Sequence, residues 1–319
     1  MTYRFFQLPP FASSRSAGTS TFRRTWLTAL AFLLASVAAT PAHAQAAQPL
    51  QVVASFSILA DMAREVAGDA AQVTALVGPN ADAHVFEATP ADAQRLARAD
   101  LVVVNGLSFE GWMDRLVRSS GFKGTVVVAT RGITPRRAGR GHDPHAWQDL
   151  RHAQVYVENI RAALVVAAPS QAAQIDARAK AYTQKLADLD QRARAAFDAV
   201  PREQRRVVSS HDAFGYFGDA YGITFIAPVG WTTGSEASAA NVAAAIRQVR
   251  QQQARALFVE NISDRRSIER IAQETGVRVG GTLYSDALSL PGTEADTYLR
   301  LFAHNVSSLA TALQIGPLR

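Results

Sequence analysis

The sequence predicts an α/β protein of two lobes, each a parallel sheet flanked by helices, joined by one long rigid α-helix. Three observations predict it. Short β-branched runs alternate with longer amphipathic stretches in both halves of the chain. A strand-free, helix-spaced segment separates the halves. The 319 residues, 48% apolar and 19% charged, suffice for two ordinary globular units.

In chain order, residues 51–54 read as a strand, 58–67 as a helix, 73–77 as a strand and 91–99 as a helix. Residues 101–104 then read as a strand, 111–118 as a helix and 125–128 as a fourth strand. This rhythm implies a parallel sheet covered by helices. From about Leu150 to Val200 the chain is rich in Ala, Gln, Arg, Leu and Asp, broken once at Pro169-Ser170. It predicts a helix to about Ala168 and a long one over 171–197, stopped by Pro201. Its apolar positions are mostly alanine without sustained heptads, so a stiff spacer is favoured over a coiled-coil arm. Strands at 206–209, 223–226, 256–259 and 277–279 follow, with helices at 240–253, 265–275 and 294–313. The domain expectation is a leader over 1–44, an N-terminal lobe over 45–168, a connecting helix over 169–200 and a C-terminal lobe over 201–319. In such folds ligands bind where the carboxyl ends of the strands open into a cleft.

Arg23 and Arg24 precede an apolar run, 26–39, too short to span a bilayer comfortably and followed by Ala42-His43-Ala44. That pattern reads as a cleavable signal peptide cut near Ala44, which sends the mature chain to the periplasm. The pair of arginines is a weak twin-arginine signal. The leader holds Arg4, Arg15, Arg23 and Arg24 and no acid, so the formal charge of +6 falls to 6 − 4 = +2 without it. With no dense basic run interleaved with aromatics, a nucleic-acid partner is not expected.

There is no cysteine. Disulfides, thiolate sites and a lipidated cysteine are thereby excluded, and any metal site must use histidine and carboxylate, which suit zinc, manganese, iron or nickel. Of seven histidines, three sit where a strand or loop should open into the cleft: His84 after the second strand, His145 in Asp143-Pro144-His145, and His211 directly after the first strand of the second half. Asp286, beyond the last strand, supplies a fourth, anionic group. Each histidine alone reads most simply as a surface or core residue, but three plus a carboxylate at equivalent strand ends match the four N/O ligands zinc prefers. His142 reads as an exposed loop residue or an auxiliary metal-acquiring group, and His152 and His304 as helix-surface residues. Glu260 reads as an ordinary loop carboxylate ahead of a group supporting a ligand.

The stretches at 54–58, 78–84, 105–107 and 109–110, then Asp143-Pro144-His145-Ala146-Trp147 and Ser210-His211-Asp212-Ala213-Phe214-Gly215-Tyr216-Phe217, together with Glu236, resemble the solute-binding proteins of zinc and manganese ABC importers, the cluster A-I family. The resemblance covers residues 50–315. It implies His84, His145, His211 and Asp286 as metal ligands, no enzymatic activity, and a monomer that hands Zn2+, or alternatively Mn2+, to an inner-membrane permease. A periplasmic metal chaperone is a further candidate partner. Where manganese carriers tend to place a glutamate at the third ligand, this chain has His211, and imidazole-rich sites favour zinc. The His-rich loop of many zinc carriers is here only about residues 131–141 and arginine-rich.

Two rival functions compete with metal carriage. A zinc hydrolase could use Glu260, Glu236 or Asp212 as base, but it needs an open fourth position, and no H-E-x-x-H motif occurs. A binding protein for an organic solute could wall its cleft with Trp147, Phe214 and Trp231, residues that read more simply as packing around a metal site. Metal affinity should fall as pH drops through the histidine range, near about 6.5.

Overall fold

The computed structural model describes residues 48–139, 141–234 and 237–315. The expected leader and Glu236 lie outside them. Strands β1 (Leu50–Phe56), β2 (Ala71–Val77), β3 (Leu101–Val104) and β4 (Thr125–Val128) form one parallel sheet in the order β2-β1-β3-β4. Helices α1 (Ser57–Ala67), α2 (Pro90–Ala97) and α3 (Met113–Ser120) connect them. Thr89 starts α2 with a reciprocal capping box to Asp92, ahead of Pro90 at the first turn.

The second lobe repeats this wiring. Strands β7 (Arg206–Val208), β8 (Thr224–Ile226), β9 (Ala256–Glu260) and β10 (Val279–Leu283) are again all parallel, in the order β10-β9-β7-β8. In each lobe the first strand is flanked by the second and the third. Such a reversal of direction leaves a crevice at the strands' carboxyl ends. Helices α6 (Gly215–Tyr221), α7 (Ala239–Gln252), α8 (Arg266–Thr275) and α9 (Tyr298–Ile315) complete the lobe.

The described structure departs from the sequence reading in three places. The last strand begins at Val279 instead of ending there, and its register slips between Val279 and Thr282. Gly280 and Gly281, the latter at φ 130°, weaken the strand signal at that kink. The short aromatic helix α6 and a two-stranded hairpin, β5 (Arg137–Ala138) with β6 (Gly141–His142), carry no periodic pattern to read.

Between the lobes run α4 (Leu150–Ala167) and α5 (Ala172–Asp198). At about 1.5 Å rise per residue, the 27 residues of α5 span about 40 Å. Its buried residues Ile175, Ala179, Tyr182, Leu186, Leu189, Ala193 and Phe197 recur every three or four positions. One stripe therefore faces inward, packed on α1, α4 and α9. A single apolar core continues from Phe56 and Phe109 through Trp147 and Tyr156 to Phe217, Tyr298 and Phe302, so both lobes share it. Among the described residues, the outer layer of the second lobe, where α7 and α8 cover β7 and β9, has a separate small core around Val208, Val249, Leu257 and Ile268.

Candidate metal centre

Four loops at strand ends meet at the junction of the lobes. The loop after β2 carries His84, whose backbone N–H donates to Asp82 Oδ1 at 2.9 Å. Ahead of α4, Asp143 Oδ1 accepts from the backbone N–H of His145 at 3.0 Å and lies 2.8 Å from its Nδ1. Asn105, at the end of β3, donates to the Pro144 carbonyl at 2.9 Å, fixing the same turn from the neighbouring strand. Asn105 is itself held by Glu110, whose Oε1 accepts from its backbone N–H at 2.6 Å.

The second lobe supplies the other two loops. His211 follows β7 and donates its backbone N–H to Glu260 Oε1 at 2.8 Å, while Glu260 Oε2 lies 2.5 Å from its Nδ1. Asp286 follows β10, and the carbonyl of Ser285 before it accepts from Trp147 Nε1 at 2.9 Å and Gln148 Nε2 at 2.8 Å.

The structure brings His84, His145, His211 and Asp286 together, one donor atom from each, all within 4.8 Å of one another. His84 Nε2 stands 3.1 Å from Asp286 Oδ2 and 3.3 Å from His145 Nε2. His211 Nε2 is 3.3 Å from Asp286 Oδ2, and His145 Nε2 is 3.7 Å from Asp286 Oδ1. Ligands at 2.0–2.1 Å around a tetrahedral ion would be about 3.3 Å apart. His145 and Asp286 are fully buried and His211 nearly so. His211 Nε2 and both Asp286 oxygens have no hydrogen-bond partner. Buried polar atoms left this way are costly unless something occupies the space between them, and a divalent cation fits that donor set.

Electrostatics reinforce the fit. Burial alone would favour neutral imidazole at His145, but Asp286 and Asp143 outweigh it and raise its pKa to about 9. His211 is raised well above its ordinary value because Glu260 and Asp286 overcome the same desolvation. Asp286 is also desolvated, yet His145 and His211 hold its carboxyl well below the usual range. Protons thus take the place of positive charge when no metal is bound.

Phe109 meets the His84 ring edge-on at 4.6 Å between centroids, and Trp147 meets that of His145 at 5.3 Å. These aromatics pack against the cluster and leave its donors facing one another. Glu260 corrects the reading as a loop carboxylate: it is 1% exposed and backs His211. The available signal was its position at the carboxyl end of a strand, where such folds place ligands. His142 is exposed on the β5–β6 hairpin. His152 is half-buried with its ring against Tyr216, and His304 is half-buried with Nε2 3.0 Å from the Thr282 carbonyl, so neither is a simple surface residue.

The family described as ZnuA, zinc-uptake complex component A, periplasmic, matches residues 52–312. The chain belongs to that family. It is 34% identical over 265 residues to the manganese-binding lipoprotein MntA of Halalkalibacterium halodurans, covering 83% of this chain and 88% of the relative. It is 33% identical over 271 residues to the iron-binding protein YfeA of Yersinia pestis, covering 83% and 86%. Among solved structures, the periplasmic zinc-binding protein TroA from Treponema pallidum superimposes with a TM-score of 0.80 at 30% identity, over 83% of this chain and 99% of that one. A manganese-bound periplasmic metal-binding protein from Candidatus Liberibacter asiaticus gives 0.76 at 31% identity, over 82% and 98%. The two-lobed ZnuA-family architecture with its long helix is therefore shared with these neighbours.

Proposed function

We propose that this protein is the exported metal-binding component of an ABC importer, and that it carries one divalent transition-metal ion on His84, His145, His211 and Asp286 to a membrane permease. The observation that carries this reading is the convergence of four buried donors, two from loops before the central helices and two from loops after them, with His211 Nε2 and the Asp286 oxygens otherwise unpartnered. Asp286 fills the position that a hydrolase would leave open for water, which favours holding over catalysis. Relatives named as metal-binding lipoproteins support an exported location. On this reading the carrier works in the periplasm as a monomer after cleavage of the leader near Ala44.

Zinc is the cargo we favour, since three imidazoles and one carboxylate at tetrahedral spacing bind zinc more tightly than manganese. Manganese has an observation of its own: both Asp286 oxygens face histidines, Oδ2 towards His84 and His211 and Oδ1 towards His145. A bidentate carboxylate suits a larger coordination shell, and manganese appears in the names of several relatives. Competition titration of metal-free protein decides between them. Zinc displacing manganese stoichiometrically at the same site is expected; manganese held against equimolar zinc would assign the manganese branch.

A further inference from the structure

The four donors are enclosed. His145, His211 and Asp286 are at most 1% exposed, and the His84 side chain is 4% exposed. Trp147 and Phe109 cover the cluster from the first lobe and Glu260 backs it from the second. The lobes are stitched by Trp147 to Ser285, Asn80 to Leu288 and Tyr298 to Asp61, and they share one core. Wide separation of the lobes would break all of these together, so an ion needs a narrower way in.

A cavity of about 630 Å3 lies in the second lobe between α7 and α8. Its walls include Val242, Ala243, Ile246 and Ser267, and among its lining residues are His211 and Asp82. It therefore reaches His211, which carries one of the four donors, and Asp82, which shapes the His84 loop of the other lobe. A cation with about six waters, at about 30 Å3 each, occupies about 180 Å3, so the cavity admits a hydrated ion with room to turn. It also lies in a layer packed on its own small core, around Val249 and Ile268, where movement costs little of the shared packing.

Where the cavity meets the His84 loop, Thr233 Oγ1 donates to Asp82 Oδ2 at 2.6 Å. Both residues line the cavity. This bond joins the loop between β8 and α7 to the His84 loop, and the other oxygen of Asp82 holds the His84 backbone N–H. Releasing Thr233 frees a carboxylate oxygen two residues from a ligand, where it can meet an incoming cation as the ion exchanges water for imidazole.

We propose that the α7–α8 cavity is the path by which the hydrated divalent ion enters and leaves the site, with the Asp82–Thr233 hydrogen bond as its door. The proposal rests on the metal-carrier reading above. Its distinguishing property is kinetic: an obstruction in a path slows arrival and departure together and leaves the equilibrium constant alone.

The test uses zinc and the mature protein, with association followed by stopped flow and dissociation by chelator capture. Ala243→Trp and Ser267→Trp fill the cavity from opposite walls, and Val166→Trp, on the exposed face of α4 away from it, is the control. Both wall variants should slow association and dissociation by about tenfold with Kd kept within about twofold, while the control matches the wild type. Thr233→Val, which keeps the shape and removes the donor, should speed both rates. Wild-type rates in both wall variants overturn the path. So does a changed Kd with unchanged association, which would make the cavity part of the site's scaffold. Failure of the wild-type protein to take up zinc or manganese at all would instead sink the metal-carrier reading.

Discussion

Glu260 holds His211 at two points: one oxygen accepts the backbone N–H at 2.8 Å and the other lies 2.5 Å from Nδ1. That arrangement fixes the ring so that Nε2 faces Asp286, and it makes the imidazole a stronger donor to a cation. In the first lobe Asp143 likewise holds His145 at two points, but with the one oxygen Oδ1 for both the backbone N–H and Nδ1.

Replacing Glu260 by Gln should therefore weaken metal binding by about 10–100-fold, the usual cost of losing a carboxylate behind a ligating histidine. Calorimetric titration of zinc into folded E260Q checks this, with circular dichroism to establish that the fold persists. Wild-type affinity would mean that the carboxylate serves only structure.

Metal affinity should rise with pH well beyond neutrality. Binding requires neutral imidazole, and His145 without metal keeps its proton up to about pH 9. Each ion bound at pH 7 should accordingly release protons, seen as a dependence of the binding enthalpy on buffer ionisation. The same shift has a sign for stability. The folded pKa of His145 lies above the unfolded value near 6.5, so its ion pairing stabilises the metal-free protein fully below about pH 6.5, and this is lost as pH rises through about 9. Metal-free protein should melt lower at pH 9 than at pH 6.5, and the gain in Tm on adding zinc should be larger at pH 9.

Asp61 makes stability fall with pH in the same direction, but as a penalty on its own charged form. Burial, with smaller contributions from Glu65 and Asp296, raises its pKa to about 6 although it accepts the Tyr298 N–H at 2.8 Å. A carboxyl whose folded pKa exceeds its unfolded value penalises the fold above about pH 6 and not below about pH 4. Asp61→Asn keeps an acceptor for Tyr298 and should stabilise the protein at pH 8, by at most about 3 kcal/mol. The advantage should vanish near pH 4. Chemical denaturation at the two pH values measures it, and equal stability at pH 8 would contradict the burial penalty.

Saturating metal should stabilise the native state. At a free concentration of 100 Kd the gain is about 2.7 kcal/mol, or a Tm rise of about 5–10 °C for a unit of this size. Differential scanning calorimetry with and without zinc reads it directly, and the rise should disappear in His84→Ala.

The strand-end positions of His84, His145, His211 and Asp286 were legible because turn residues and β-branched runs mark where strands stop. Their convergence was not, since it depends on how two lobes pack. Glu260 was misjudged for the same reason: its role comes from β9 lying beside β7, a neighbour relation that spacing along the chain does not encode. The long helix was legible in outline, with α5 over Ala172–Asp198 against an expected 171–197. Its contribution to a core common to both lobes was hidden behind its many alanines. The last strand was displaced because Gly280 and Gly281 interrupt the β-branched pattern where the register slips.

The most direct test of metal carriage by this cluster is elemental analysis of the mature protein, purified without chelator or affinity tag, beside its His211→Ala variant. One equivalent of a divalent transition metal in the wild type, lost in a folded variant, is the expected result. No stoichiometric metal in the wild type, or full retention in His211→Ala, would contradict it.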